Sequence, residues 1–215
     1  MERRIALGGG LRAERRAEGA TPTLTGHAAV FNQPTTIAGL FVERVAPGAF
    51  LESIARDDCR GLFNHEAELV LGRQSAGTLE LSEDAIGLAF VLLLPDTSIA
   101  RDLAVSVARG DVRECSFTFE VEGDSWEWPR DPAELPIRTL EKCRLYDVGP
   151  VTFPAYPQTD VQANAARVLA EARAALPAGA AGAAAVLEAA RAAEGEGRAA
   201  TATRARRLRL AESVR

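Results

Sequence analysis

The chain has 215 residues, of which 47% are hydrophobic and 26% are charged, and its net charge at neutral pH is -5. This length and apolar content suit one folded domain with appendages. No run of about eighteen apolar residues is present, which excludes an ordinary membrane-spanning helix. The apolar stretch after Met1 ends in glycines at 8–10, so we expect no secretory signal.

The sequence has few histidine or cysteine side chains for acid–base catalysis or metal binding. The chain has two histidines, His27 and His65, and histidine is the side chain that exchanges a proton near neutral pH without special tuning. Its cysteines (Cys59, Cys115 and Cys143) are odd in number and lack metal-site spacing, so we expect buried, reduced thiols in a reducing cytoplasm. No phosphate loop, zinc spacing or dinucleotide fingerprint is present, so we expect no cofactor and no metal.

Charge is distributed unevenly along the chain. Residues 166–215 contain nine Arg and five Glu, a charge of +4, so residues 1–165 carry -5 - (+4) = -9. A basic end of this kind could bind nucleic acid or an acidic protein surface, and a solvated helical tail without a partner is an equally good interpretation.

The first half of the chain predicts strands with one short helix. Residues 1–20 are polar and broken by glycine, which indicates a flexible arm. Residues 23–31 alternate as a strand does, and 47–56 favour a short helix with its apolar residues on one face. Residues 60–65 indicate a strand that leads to a polar turn, and 78–94 indicate two strands joined by a turn.

The second half begins with a predicted helix over 97–108, for which Thr97 is the expected N-cap and Gly110 the expected stop. A strand is predicted over 112–121, a loop over 125–136, and one or two further strands over 137–153. Strands therefore dominate, and the sequence predicts an α+β fold, a mostly antiparallel β-barrel surrounded by short helices.

The end of the chain differs in composition from the rest. Twenty of the last fifty residues are alanine, and 166–176 and 183–193 are helix formers by propensity. We therefore divide the chain into a flexible N-terminal arm (1–20), a folded domain (21–163) and a helical or disordered tail rich in alanine and arginine (164–215).

Eight segments, in order over residues 23–161, carry a family resemblance. They are 26–32, 43–50, 63–65, 71–73, 77–81, 94–97, 115–119 and 146–157. In these segments the chain resembles the prohead (capsid maturation) proteases of tailed bacteriophages and of phage-derived particles such as gene transfer agents. The resemblance implies a fold similar to herpesvirus assemblins, in which helices wrap a β-barrel.

The resemblance also implies a catalytic serine. The family's nucleophile stands in a Ser-Phe-x-Phe pattern, which corresponds to Ser116 here, and the family's catalytic histidine corresponds to His65. Asp147 is the expected third member, because its segment resembles the family's acid-rich strand, and Glu141 is the alternative. Many relatives carry further acids earlier in this strand, where this chain has Lys142 and Arg144. Serine proteolysis needs these three roles: a nucleophile, a base, and a group that orients the base.

Other readings of these residues remain open at this stage. The thiol of Cys115 could pair with His65, although neighbouring residues of a strand face opposite ways, so only one of Cys115 and Ser116 can do so. His27 is the competing histidine, and we expect it to pack on a strand. The oxyanion could be stabilised by Arg144 or equally by backbone N–H groups beside Ser116.

The function implied by the resemblance is that of a serine endopeptidase of head maturation. It would cleave the scaffolding segment or the major capsid protein, and itself, inside the procapsid in the host cytoplasm. A homo-oligomer is compatible with this role, whereas a membrane or nucleic-acid partner is not expected. A catalytically silent scaffolding or assembly protein is the alternative from another class, and a cysteine hydrolase that uses Cys115 is the alternative among enzymes.

Overall fold

The computed structural model describes residues 1–6, 10–14, 22–131, 133–153 and 158–176. Over these residues the chain has an α+β fold with many strands and few helices, as the sequence predicts. The elements are β1 (Glu2–Ala6), β2 (Arg12–Glu14), β3 (Thr23–Val30), β4 (Thr35–Ile37), β5 (Phe41–Val45), α1 (Leu51–Arg56), β6 (Arg60–Leu62), β7 (Val70–Arg73), β8 (Leu79–Glu83), β9 (Gly87–Leu93), α2 (Ser98–Arg109), β10 (Glu114–Glu127), β11 (Ile137–Val151) and α3 (Gln158–Ala174).

The first sheet is built around the two long strands. Its order is β1-β10-β11-β5-β4, and β6 pairs with both β11 and β7. Most of its described pairs are antiparallel, but β6 runs parallel to β11, with Asp147 opposite Arg60 and Val148 opposite Gly61. This parallel pair places the turn after β6 beside the end of β11.

The second sheet has the order β2-β3-β9-β8. The pairing of β8 with β9 confirms the hairpin predicted over 78–94. Asp84 holds its turn, because one carboxylate oxygen accepts hydrogen bonds from the backbone N–H groups of Ile86 and Gly87 at 2.7 and 2.9 Å. Among the described residues the two sheets do not close into a barrel, so the barrel stays an expectation.

Helix α2 confirms the predicted helix and both of its ends. The hydroxyl of Thr97 accepts a hydrogen bond from the N–H of Ala100 at 3.3 Å, and Gly110 follows the helix with a φ of +83°. Glycine takes this left-handed conformation without a steric penalty, which explains why the helix ends there. None of the helices described has the length and apolarity to cross a membrane.

Two hydrophobic clusters lie in two compact units. The first unit comprises Met1–Pro34, Arg44–Ser125 and Thr139–Tyr156, and the second comprises Thr35–Glu43, Trp126–Arg138 and the chain from Pro157. In the first unit the ring of Phe117 packs on Phe119 at 4.8 Å and on Phe50 at 5.5 Å. In the second, Phe41, Trp126 and Leu169 belong to a smaller cluster.

The structure differs from the sequence prediction in several elements. Strands β1 and β2 lie within residues 1–20, where a flexible arm is predicted, because each adds to an open sheet edge through its backbone. Strand β10 continues to Glu127, into the predicted loop. Strands β4, β5 and β7 have no counterpart in the prediction, and the predicted helix over 183–193 lies outside the described residues.

Candidate active site

Ser116 lies on β10, and the alternation of that strand decides what its side chain meets. Cys115, Phe117 and Phe119 belong to the hydrophobic core of the first unit. Side chains of successive strand residues point to opposite faces, so Ser116 and Thr118 share the other face. Both are buried, with Ser116 only 1% exposed.

His65 reaches this face from the turn that follows β6. Asn64 and His65 both have left-handed backbone conformations, with φ of +55° and +60°. Non-glycine residues adopt this region at a cost, and it persists where surrounding contacts impose it. Here the imposing contacts come from Asn64, whose N–H donates to the carbonyl of Pro150 at 3.0 Å and whose side-chain oxygen accepts from the N–H of Thr152 at 2.8 Å.

Asp147 lies on β11 in the register that brings its carboxylate to His65. Its Oδ1 is hydrogen-bonded to Nδ1 of the imidazole. Close approach of β11 to β6 is required for this contact, and Gly149 permits it. A Cβ atom at Gly149 would lie 1.9 Å from the carbonyl oxygen of Leu62, so no larger residue fits without separating the strands.

The three side chains form one hydrogen-bonded chain. His65 Nε2 lies 2.7 Å from Ser116 Oγ, and its Nδ1 contacts the carboxylate of Asp147. An ionised carboxylate only accepts hydrogen bonds, so Nδ1 carries the proton and, in the neutral ring, Nε2 presents its lone pair to the serine. This arrangement can take a proton from a serine hydroxyl as that hydroxyl attacks a carbonyl carbon.

Thr118 is a further neighbour of the histidine that the sequence prediction did not include. Its Oγ1 lies 3.1 Å from His65 Nδ1, on the same face of β10 as Ser116. The spacing of two residues along a strand is the signal that could have identified it. Asn64 was also missed as a positioning residue, because its partners come from the end of β11, 88 residues later in the chain.

The alternative acid and the alternative nucleophile lie elsewhere. Glu141 is exposed and accepts a hydrogen bond from Ser125 at 2.6 Å, so the structure brings Asp147, not Glu141, to His65. Cys115 is fully buried in the core, and desolvation raises the pKa of its thiol to about 12. A thiol in that environment is not available as a thiolate.

The remaining candidates are also accounted for. His27 lies on β3, and its Nε2 is 2.8 Å from the carboxylate of Asp84, away from the serine strand. Arg144 lies near the carboxylate of Asp57 at 3.5 Å and over the ring of Tyr146 at 5.5 Å. Both interactions are structural ones, which leaves the backbone as the better candidate for the oxyanion site.

Comparison with known protein families gives one finding. The family model described as caudovirus prohead serine protease matches residues 11–173, which is more than half of the chain. No curated protein and no solved structure gives a significant match. The matched range includes Ser116, His65 and Asp147.

Proposed function

We propose that Ser116, His65 and Asp147 are the catalytic residues of this chain. The chain belongs to the caudovirus prohead serine proteases. Membership of this family makes the chain a serine endopeptidase of capsid maturation. The observation that supports the assignment of residues is the hydrogen-bonded chain from Asp147 through His65 to Ser116.

In the proposed mechanism, Ser116 Oγ attacks the carbonyl carbon of the scissile peptide bond while its proton passes to His65 Nε2. The C–N bond then breaks, and the imidazolium gives that proton to the leaving amine. Water, deprotonated by the same nitrogen, hydrolyses the acyl-enzyme and regenerates the serine. Asp147 keeps the ring oriented and stabilises its charged form, and backbone N–H groups beside Ser116 stabilise the oxyanion.

We infer that the substrate is the scaffolding segment, either a separate protein or the N-terminal region of the major capsid protein, and that the protease also cleaves itself. This proposal extends the family's role in proheads to particular substrates inside the procapsid, in a tailed phage or a gene transfer agent. Confinement in one shell would supply specificity, since enzyme and substrate meet at a high effective concentration. The proposed catalytic domain is 21–163, with an assemblin-like barrel as its expected full fold.

The test is co-expression of the protease with the major capsid protein of its own particle, followed by intact mass measurement of the capsid protein. We expect trimming with the wild-type chain and none with Ser116→Ala, while particles still assemble. Cys115→Ala is the matched control, and trimming should persist because that thiol is buried on the other face of β10. Equal trimming with Ser116→Ala would reject the serine, and assembly dependent on a protein that never trims would favour a scaffolding role.

A further inference from the structure

The imidazole of His65 has a third hydrogen-bond partner besides Asp147 and Ser116. The Oγ1 atom of Thr118 lies 3.1 Å from His65 Nδ1, the nitrogen that also contacts the carboxylate of Asp147. Thr118 is 5% exposed, so water does not compete freely for this contact. The ring is thus held at Nε2 by one side chain and at Nδ1 by two.

Thr118 and Ser116 approach the ring from the same strand. They stand two residues apart on β10 and therefore share one of its faces. On the other face the rings of Phe117 and Phe119 pack in the core, with 4.8 Å between their centres, and they fix this stretch of backbone. Thr118 consequently ties the histidine to the strand that carries the nucleophile, whereas Asp147 ties it to β11.

A histidine that reaches a site from a turn needs contacts of this kind. The last torsion of a histidine side chain has broad preferences, so the backbone of the turn after β6 does not by itself fix the plane of the ring. One acceptor at Nδ1 still permits the ring to swing about that hydrogen bond. A second acceptor on another strand restricts the swing, and the branched side chain of Thr118 holds its hydroxyl in few rotamers.

The hydroxyl and the carboxylate have different roles at Nδ1. A carboxylate only accepts hydrogen bonds, so Asp147 determines that Nδ1 carries the proton, whereas a hydroxyl can donate or accept and adapts to that state. During attack the proton of Ser116 passes to Nε2, and the bond between Nδ1 and its hydrogen stays intact. Thr118 therefore exchanges no proton, and what it can supply is the direction of the Nε2 lone pair.

We propose that Thr118 is a positioning residue of the protease, which holds the imidazole plane of His65 so that Nε2 faces Ser116 Oγ. The inference rests on the proposed function of Ser116. The Ser-Phe-x-Phe pattern leaves the position of Thr118 open, so this contact does not follow from the pattern. The loss of one such hydrogen bond corresponds to about a tenfold change in rate.

The test measures how fast a fluorophosphonate, which reacts with an activated serine hydroxyl, labels Ser116 in the purified full-length chain as the reagent concentration is raised. Thr118→Val replaces the hydroxyl by a methyl group, and we expect the maximal labelling rate to fall about tenfold while the half-saturating concentration stays the same. Thr118→Ser keeps the hydroxyl and should label within about threefold of the wild-type rate. Thr23→Val is the matched control, because Thr23 is also buried but lies on β3 of the other sheet, and its labelling should not change.

The variant Asp147→Asn provides a second readout that a purely structural role would not move. In that background the imidazole no longer presents its lone pair reliably to the serine, so the further change Thr118→Val should slow labelling by less than about twofold. A residue that only supported the fold of β10 would slow labelling by the same factor in both backgrounds.

If Thr118→Val does not fold, Thr118→Ala takes its place with the same expected loss, and Thr118→Ser remains the comparison. Equal maximal rates in the wild-type chain and in the folded variant without the hydroxyl would overturn the role of Thr118 while leaving Ser116 as the nucleophile. An equal loss with Thr118→Ser, or a change confined to the half-saturating concentration, would also overturn it. Labelling that persists in Ser116→Ala, or no labelling of the folded wild-type chain, would reject the proposed function and this inference with it.

Discussion

At the level of single residues, strand β11 offers two candidates for the acid that orients the histidine. Asp147 and Glu141 lie on the same strand, but only Asp147 contacts His65, and it does so from a buried position. We expect Asp147→Asn to reduce peptide cleavage by about 10³–10⁴-fold, because an amide no longer fixes the imidazole with its lone pair toward the serine. Steady-state cleavage of a peptide from the trimmed capsid segment measures this.

Glu141→Gln is the control for that prediction. Its carboxylate is exposed and holds Ser125, so we expect the variant to retain activity within about twofold. If Glu141→Gln abolished cleavage and Asp147→Asn did not, the acid assigned here would be wrong.

At the scale of elements, the close approach of β11 to β6 determines whether His65 meets Asp147. A methyl group at Gly149 would lie 1.9 Å from the carbonyl oxygen of Leu62, which is backbone and cannot rotate away. We expect Gly149→Ala to lower the free energy of unfolding by about 3 kcal/mol, because the strands must separate. The same change should remove most of the labelling of Ser116 by a fluorophosphonate, a reagent that reacts with activated serines. Urea unfolding and labelling rates measure the two effects.

Gly123→Ala in β10 is the matched control. The nearest atom to its added Cβ would be the Lys142 Cβ at 3.3 Å, which a small shift relieves. Both the stability and the labelling rate should stay close to those of the wild-type chain. An equal loss of stability and labelling in both variants would show that alanine in a strand, and not its contact with Leu62, is responsible.

We expect Asp84, in the turn between β8 and β9, to make the stability of the fold depend on pH. The hydrogen bond from His27, followed by those from Gly87 and Ile86, lowers the pKa of Asp84 from 3.8 to about 2. A carboxyl with a lowered pKa stabilises the fold above pH 3.8, and that stabilisation is lost as the pH falls through about 2. The urea midpoint of Asp84→Asn should lie below that of the wild-type chain at pH 5, and the two midpoints should converge near pH 2. A difference in midpoint that does not change with pH would contradict a stabilising role of the ionised Asp84.

The elements also show which parts of the fold the sequence could predict. Helix α2 has both end signals in the sequence, at Thr97 and Gly110, and the structure has it as predicted. Strands β1 and β5 lack a strong alternating pattern, and they form because the distant strands β10 and β11 offer them backbone partners, whereas β4 pairs with its neighbour β5. Likewise, the alternation of side chains along β10 predicts which face Ser116 occupies. The position of Asn64 depends instead on a hydrogen bond from Thr152, which is 88 residues away and which no local sequence pattern connects to Asn64.

For the molecule as a whole, two hydrophobic clusters lie among the described residues, and different probes can follow them separately. Both tryptophans of the sequence, Trp126 and Trp128, belong to the second unit, where their rings stack at 5.4 Å. Ser116 and its partners belong to the first unit. Tryptophan fluorescence therefore reports on the second unit, and fluorophosphonate labelling reports on the first.

A buried ion pair lies in the second unit. Arg138 pairs with Glu43 at 3.1 Å, both side chains are 4% exposed, and the guanidinium lies 5.8 Å from the centre of the Trp126 ring. Removal of one charge from a buried pair costs about 3 kcal/mol, because the other charge stays in a poorly solvated place. We expect Glu43→Gln to lower the urea midpoint measured by tryptophan fluorescence.

The same variant should leave the midpoint of Ser116 labelling close to the wild-type value, because the larger cluster around Phe117 and Phe119 supports the catalytic residues. Glu141→Gln, an exposed change in the first unit, should move neither midpoint. If fluorescence and labelling instead shifted together in Glu43→Gln, the two clusters would unfold as one cooperative body. The stability of the second unit would then govern the protease activity as directly as the residues around Ser116 do.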